Sequence, residues 1–249
     1  MSTVKQKPNE TKPLILVENL RKQYTPDGPW IIDDINLTVN AGDIIAIIGE
    51  SGCGKSTLLR TLAGLETATD GTVELASENV AMVFQYSALF DWLTVLENVA
   101  FSLLEPAKGK PKYKNADDPE LRKLVAEKLE MVGLEDIEDK YPNELSGGMQ
   151  KRVSFARAVI SNPSIILYDE PTSGLDPVST AMLEDYIQAL QQKLNAASVV
   201  VTHTISTVRR VATRVLMLHE GHIHFEGTPD DLFKSTDERV KAFVQAAGG

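Results

Sequence analysis

One cysteine, Cys53, stands in a chain of 249 residues, so no intrachain disulfide can form and a cross-linked secreted scaffold is excluded. Long apolar runs are missing as well. The longest, such as Ile44 to Ile48, fall far short of the roughly 20 residues that cross a bilayer. Met1 to Pro13 is polar, has no signal-peptide core and reads as a loose tail, so the chain is expected to stay on the side of the membrane where it is made. Positive charge is scarce: 25 Lys and Arg face 35 Asp and Glu, a net charge of −10. That balance argues against a general nucleic-acid binder, which needs a basic footprint. What is present is ordinary for a globular protein, with 43% hydrophobic and 24% charged residues. The length suits one large domain, or one domain with a subdomain.

Apolar segments alternate with helical patterns. Leu14 to Val17, Ile35 to Val39, Ile44 to Ile48, Val80 to Phe84, Ile165 to Tyr168 and Val199 to Val201 read as strands. Arg214 to Leu218 and Ile223 to Phe225 flank a hairpin turn at Glu220-Gly221. Helices are expected over Ser56 to Leu65, Leu121 to Val132, Gly148 to Ile160 and Val178 to Leu194. Thr228-Pro229-Asp230-Asp231 opens a C-terminal helix with a capping-box pattern. Such alternation indicates an α/β fold with a mainly parallel core sheet. Ser87 to Glu144 interrupts it, is mostly helical in pattern and holds the lysine-rich loop Glu105 to Pro119.

Gly49-Glu50-Ser51-Gly52-Cys53-Gly54-Lys55-Ser56-Thr57 fits the phosphate-loop pattern G-x-x-x-x-G-K-[ST], between a buried strand and a helix. Its glycines let backbone N–H groups turn toward phosphate oxygens, and the helix end adds a positive dipole. Lys55 can reach the β- and γ-phosphates, and the Ser56 hydroxyl can ligate Mg2+. Gly49, Ser51, Gly52, Cys53, Gly54, Lys55, Ser56 and Thr57 are therefore candidate nucleotide-binding residues. Cys53 is either an activated thiol at a helix N-terminus or simply a small residue that fits a tight loop; the second reading is favoured. The strand Ser164 to Tyr168 ends in Asp169-Glu170. Beside a phosphate loop, Asp169 would hold Mg2+ and Glu170 would orient and polarise the attacking water.

Leu145-Ser146-Gly147-Gly148-Met149-Gln150 resembles the signature motif of the ATP-binding-cassette (ABC) family. Other positions match in order. Tyr24 lies where an aromatic stacks on adenine, and Gln85 where a glutamine approaches Mg2+ and the water. Ser173-Gly174-Leu175-Asp176 matches the loop at the dimer interface, and His203 the histidine at the γ-phosphate; Thr204 departs from the family's frequent Asp. The resemblance implies an ABC nucleotide-binding domain: a RecA-like P-loop core with a mainly parallel sheet, an antiparallel β subdomain and an inserted helical subdomain. Core residues would be 14–86 and 159–227, helical-subdomain residues 87–158 and a helical tail 228–249. It also implies an ATPase using ATP and Mg2+, with catalytic Glu170, His203 and Gln85 and metal-binding Ser56, Gln85 and Asp169. Two copies would close head to tail, with Ser146, Gly147, Gly148 and Asp176 meeting the partner's nucleotide.

Only one copy of each motif is present, so transport requires a separate permease at the cytoplasmic face of the inner membrane, expected to dock near Leu89, Phe90, Trp92 and Leu93. The alternative for those four is the subdomain's own core. Gln85 to Phe101 and the tail Gly227 to Gln245 resemble the ATPases of MCE-type (Mla-like) phospholipid transporters, which implies an MCE-domain partner and phospholipid cargo. The alternative is a small-solute importer of the betaine, nitrate or amino-acid type. A non-transport cassette acting on ribosomes or DNA is disfavoured by the single cassette and the acidic charge. The lysine-rich loop reads as solvated rather than lipid-bound. His219, His222 and His224 read as a solvated hairpin rather than a metal site.

Overall fold

A computed structural model describes residues 12–106 and 109–248. The expected tail, apart from Lys12 and Pro13, and Lys108 of the lysine-rich loop lie outside the described residues.

Two sheets form the frame. In the first, β1 (Ile15–Lys22) lies between β2 (Ile32–Val39) and β4 (Asp70–Leu75), all antiparallel. The second has six strands. In sequence they are β3 (Ile44–Ile48), β5 (Val80–Val83), β6 (Ile165–Asp169), β7 (Ala197–Val201), β8 (Arg214–His219) and β9 (His222–Gly227). Their spatial order is β5-β6-β7-β3-β8-β9, parallel except for β9. Strands β3, β6 and β7 are buried along their whole length, as their largely apolar sequences require of a sheet covered on both faces.

Helices fill the intervals: α1 (Lys55–Leu62), α2 (Val95–Leu104), α3 (Pro119–Met131), α4 (Gly147–Val159), α5 (Pro177–Leu194), α6 (Ile205–Val211), α7 (Pro229–Lys234) and α8 (Glu238–Ala246). Residues from α2 to α5 pack on one face of the large sheet, around Leu129, Phe155, Tyr168 and Ile187. The opposite face packs α1 and the antiparallel sheet through Leu59, Ile35, Ile47 and Val199. A third cluster joins β8 to α6, α7 and α8. There Val240 is fully buried and Phe243 and Val244 pack against it, so the tail lies on the chain's own core.

Three differences from the sequence reading have local causes. Strand β4 was not expected: its half-buried alternation is weak, and it begins beside Gly71, where a Cβ would stand 2.3 Å from the Asn19 carbonyl oxygen. Helix α6 was not expected either, being only seven residues long. The single C-terminal helix is two, because Asp237 caps a fresh start by accepting from the Arg239 and Val240 N–H groups. The predicted capping box at Thr228 and Asp231 forms in α7.

The stretch before α2 is pinned by a residue the sequence did not single out. Asn98 is fully buried, and its amide donates to the carbonyls of Phe90, Leu93 and Thr94 while its oxygen accepts the Phe90 N–H. Phe90 then packs on Phe101 with ring centroids 4.7 Å apart, and Leu89 lies half-buried on the helical core. Trp92 stays 73% exposed. Replacing Asn98 with leucine takes the side-chain partner from the Phe90 N–H and the Leu93 carbonyl, while the Phe90 and Thr94 carbonyls keep the N–H groups of Leu93 and Asn98, and should cost about 3 kcal/mol. Urea unfolding of the variant checks this; a midpoint equal to wild type would contradict it.

Candidate functional site

In an open parallel sheet, ligand crevices form beyond the carboxyl ends of the strands. Here β3, β5, β6 and β7 end together, delivering Gly49, Gln85, Glu170 and His203 to one edge. They line a cleft of about 390 Å3 with Ile31, Ser51, Gly52, Gly54, Lys55, Ser56 and Thr57.

The loop between β3 and α1 is bent so tightly that side chains cannot replace its key glycines. A Cβ on Gly49 would lie 2.3 Å from the Leu218 carbonyl oxygen, and one on Gly54 would lie 2.6 Å from that of Ile31, at φ values of +143° and +104°. Gly54 caps α1 without a side chain, so the first-turn N–H groups of the helix face the cleft. Lys55 Nζ arches over the loop and donates to the carbonyls of Gly49 and Glu50, both at 2.8 Å.

Ser56 Oγ donates to Asp169 Oδ1 at 3.2 Å. Burial raises the Asp169 pKa, and the Ser56 hydrogen bond opposes that rise. A hydroxyl and a buried carboxylate in contact are hard oxygen donors of the kind Mg2+ takes when nucleotide phosphates and water complete its octahedron. Among the described residues no three His, Cys, Asp or Glu side chains gather into a metal cage.

Glu170 sits just past β6 in the left-handed region, with φ +48°, and its N–H donates to the Val201 carbonyl at 2.9 Å. That bend turns the carboxylate inward. Its Oε1 lies 2.9 Å from His203 Nδ1, while Oε2 is buried with no hydrogen-bond partner from the protein. A buried carboxylate oxygen left without a partner, on a residue that lines the cleft, has an unmet capacity to accept a hydrogen bond. His203 is itself mostly exposed and faces the cleft. Thr204, the departure from the family pattern, leads into α6, and its N–H donates to Thr202 Oγ1.

Other candidates lie elsewhere. Tyr24 stands exposed outside the cleft lining, its hydroxyl donating to Glu66 at 2.9 Å and lying 3.3 Å from Thr57 Oγ1. Cys53 turns away from the cleft into the apolar layer between the sheets. Ser146 caps α4 by accepting the Met149 N–H. The next two residues, Gly147 and Gly148, belong to a separate depression of about 530 Å3, shared with Gln85, Tyr86, Lys151, Ser173, Gly174 and Leu175. A Cβ on Gly147 would meet nothing within 4 Å, so internal packing does not demand glycine there. Asp176 caps α5, accepting from the N–H groups of Val178 and Ser179 and the Ser179 hydroxyl, which hold its carboxyl below the usual range. Ile31 and Lys151 were not anticipated; no motif marks them, and only the folded chain brings them in. Of the three hairpin histidines, His222 faces Asp33 at 3.5 Å, while His224 faces Asp237 at 3.1 Å and meets the His219 ring edge-on at 6.0 Å.

A family model described as "ABC transporter" matches residues 32–173, more than half of the chain. The chain belongs to that family. It is 37% identical over 235 residues to the spermidine/putrescine import ATP-binding protein PotA of Mannheimia succiniciproducens, covering 90% of this chain and 60% of that one. It is 38% identical to the sulfate/thiosulfate import ATP-binding protein CysA of Nitrosomonas europaea, covering 88% and 62%. It thus spans about 60% of the length of these curated relatives. Among solved structures, a dimeric post-hydrolysis state of the ATP-binding cassette MJ0796, bound to ADP and Pi, aligns with a TM-score of 0.76 and 31% identity, over 86% of this chain and 98% of that one. The cassette cbiO1 from Clostridium perfringens, part of the transporter complex cbiONQ, aligns at 0.77 with 27% identity, over 95% and 96%.

Burial pushes the Cys53 thiol up, against the opposing pull of the Lys55 ammonium. Only the thiolate alkylates. Iodoacetamide should therefore label Cys53 more slowly than a cysteine peptide at pH 7, with the rate climbing only above the ordinary thiol range. Mass spectrometry checks this, and rapid labelling at pH 7 would contradict it.

Proposed function

We propose that this chain is the ATP-hydrolysing subunit of an importer for a small solute, working as a pair of cassettes beneath a membrane permease. The observation that carries the reading is identity of 37–38% to import ATP-binding proteins across about nine-tenths of the chain. Their printed substrates, a polyamine, ferric ion and sulfate or thiosulfate, are chemically unrelated. Cargo is therefore chosen by other subunits, and the cassette supplies force.

Phospholipid transport with an MCE-domain partner is the second reading. It draws its support from the segment Gln85 to Phe101 and the tail Gly227 to Gln245. The relatives named above support the importer instead. In both readings no helix among the described residues is long and apolar enough to cross a membrane, so attachment runs through the permease at its cytoplasmic face. The exposed rings of Tyr86 (77%) and Trp92 (73%) lie on the stretch between β5 and α2 and suit that contact; Leu89, Phe90 and Leu93 are half-buried beneath it.

The mechanism follows from the cleft. ATP lies with its phosphates against the N–H groups of the Gly49–Thr57 loop, and Lys55 exchanges its two carbonyl partners for the β- and γ-phosphate oxygens. Ser56 and Asp169 would hold Mg2+, with Gln85 nearby; when bound, the ion neutralises charge between the β- and γ-phosphates. The Glu170 carboxylate accepts a hydrogen bond from the attacking water, and His203, its Nδ1 braced on Oε1, stands beside the γ-phosphate. Tyr24 presents its ring to the adenine. Ser146, Gly147, Gly148 and Asp176 face the nucleotide of the second copy. ATP thus closes the pair and hydrolysis opens it.

Glu170→Gln should lower turnover by about 10²–10⁴-fold, the contribution of a positioned base, and leave an ATP-loaded dimer on a sizing column. Full turnover would remove Glu170 from its role. Trp92→Asp should abolish retention of the permease during affinity purification from native membranes while ATP binding persists. In the same purification of the wild-type chain, mass spectrometry decides the cargo class. A solute-binding protein beside the permease supports import, and an MCE-domain protein with phospholipid supports the second reading.

A further inference from the structure

The helix α4 bears three consecutive polar side chains whose partners diverge. Gln150 donates to the Pro142 carbonyl and accepts from the Ser87 hydroxyl. Arg152 donates to the carbonyls of Val132 and Gly133. Both tie α4 to the helical layer around it. Lys151 points the other way, to the end of β6, where its ammonium donates to the Ser173 carbonyl.

That carbonyl belongs to a turn with little freedom. The Ser173 N–H donates back to the Glu170 carbonyl at 3.2 Å, and the Leu175 N–H to that of Thr172 at 3.2 Å. Glu170 opens the turn in the left-handed region, a strained conformation for a non-glycine residue that persists only when its surroundings hold it. Lys151 is half-buried, and no carboxylate among the described residues lies within ion-pair distance of it. Burial lowers its pKa, and the Glu170 carboxylate is the charge that opposes the fall. It shares its depression with Gly147, Gly148, Ser173 and Gln85. A half-buried ammonium has thus been brought to the turn that aims the Glu170 carboxylate, from a helix whose first residues are Gly147 and Gly148.

We propose that Lys151 is a positioning residue for ATP hydrolysis: a strut from α4 that fixes the Glu170–Ser173 turn and with it the direction of the Glu170 carboxylate. This rests on the reading that Glu170 prepares the attacking water. The strut makes the base sensitive to where α4 sits, so a movement of the helix that begins at Ser146 alters hydrolysis at the cleft behind it. A positive charge matters because it serves the carbonyl and the Glu170 field at once. Arginine can replace it, and an apolar side chain of similar length cannot.

The test compares Lys151→Met, Lys151→Arg and Glu170→Gln in the full chain by steady-state ATPase kinetics, equilibrium ATP binding and thermal unfolding. A misplacement of about 1 Å costs roughly 10²-fold in rate, so the methionine variant should lose about that much kcat with KM, ATP affinity and Tm unchanged, and arginine should restore most of it. Wild-type kcat in the methionine variant, while Glu170→Gln is inactive, would overturn the strut and leave the role of Glu170 standing. A loss of kcat that comes with a lower Tm, or that arginine does not rescue, would overturn it too. Full turnover in Glu170→Gln would instead remove the reading on which the proposal rests.

Discussion

No atom larger than hydrogen fits on Cα of Gly49. The loop after β3 passes so close to β8 that a Cβ would sit 2.3 Å from the Leu218 carbonyl oxygen and 2.8 Å from Cys53 Sγ. The rest of the site depends on that contact. It turns the chain hard enough for α1 to start at Lys55 with its first-turn N–H groups facing the cleft, and it brings Ser56 within 3.2 Å of Asp169. A substitution at Gly49 would push the loop off β8 and separate hydroxyl from carboxylate, even though glycine itself contributes no chemistry.

The order of the large sheet supplies what the loop does not. Strand β3 has β7 on one side and β8 on the other, and β6 lies beyond β7. Residues far apart in sequence therefore end side by side: Asp169 and Glu170 leave β6, and His203 follows β7. The Glu170 N–H to Val201 carbonyl bond continues the β6–β7 ladder by one step, and the left-handed bend then breaks it. Within a single residue the chain changes from pairing in a sheet to presenting a carboxylate. Its two oxygens differ, one holding His203 and the other buried with no hydrogen-bond partner from the protein.

What the sequence disclosed follows from how local each feature is. The phosphate loop, the apolar run ending in Asp169-Glu170 and the Thr228–Asp231 cap each lie within about ten consecutive residues, and each reads directly. Strand β4 does not, because its place is set by β1, to which Gly71 and Asn19 are fitted by close backbone approach. Asn98 does not either. Its amide looks like any polar residue on a helix until four backbone contacts across the turn before α2 show that it is buried. Cys53 illustrates the limit from the other direction: its position beside a helix start suggests activation, yet the packing between the sheets decides its character.

Lys151 belongs to the same class of feature as Asn98, and it shows why the helical layer matters to the chemistry. Side chains from α4 fix the layer internally through Gln150 and Arg152 and reach the α/β core through Lys151. A helix held on one side by its own layer and on the other by the turn at Glu170 cannot shift without moving one of them. Packed interfaces of this kind switch between discrete arrangements rather than deforming smoothly. In the function proposed above, a cassette that hydrolyses ATP only when correctly closed gains from placing a half-buried cation, rather than a flexible surface contact, between the helix proposed to meet the second nucleotide and the carboxylate proposed to act on the first.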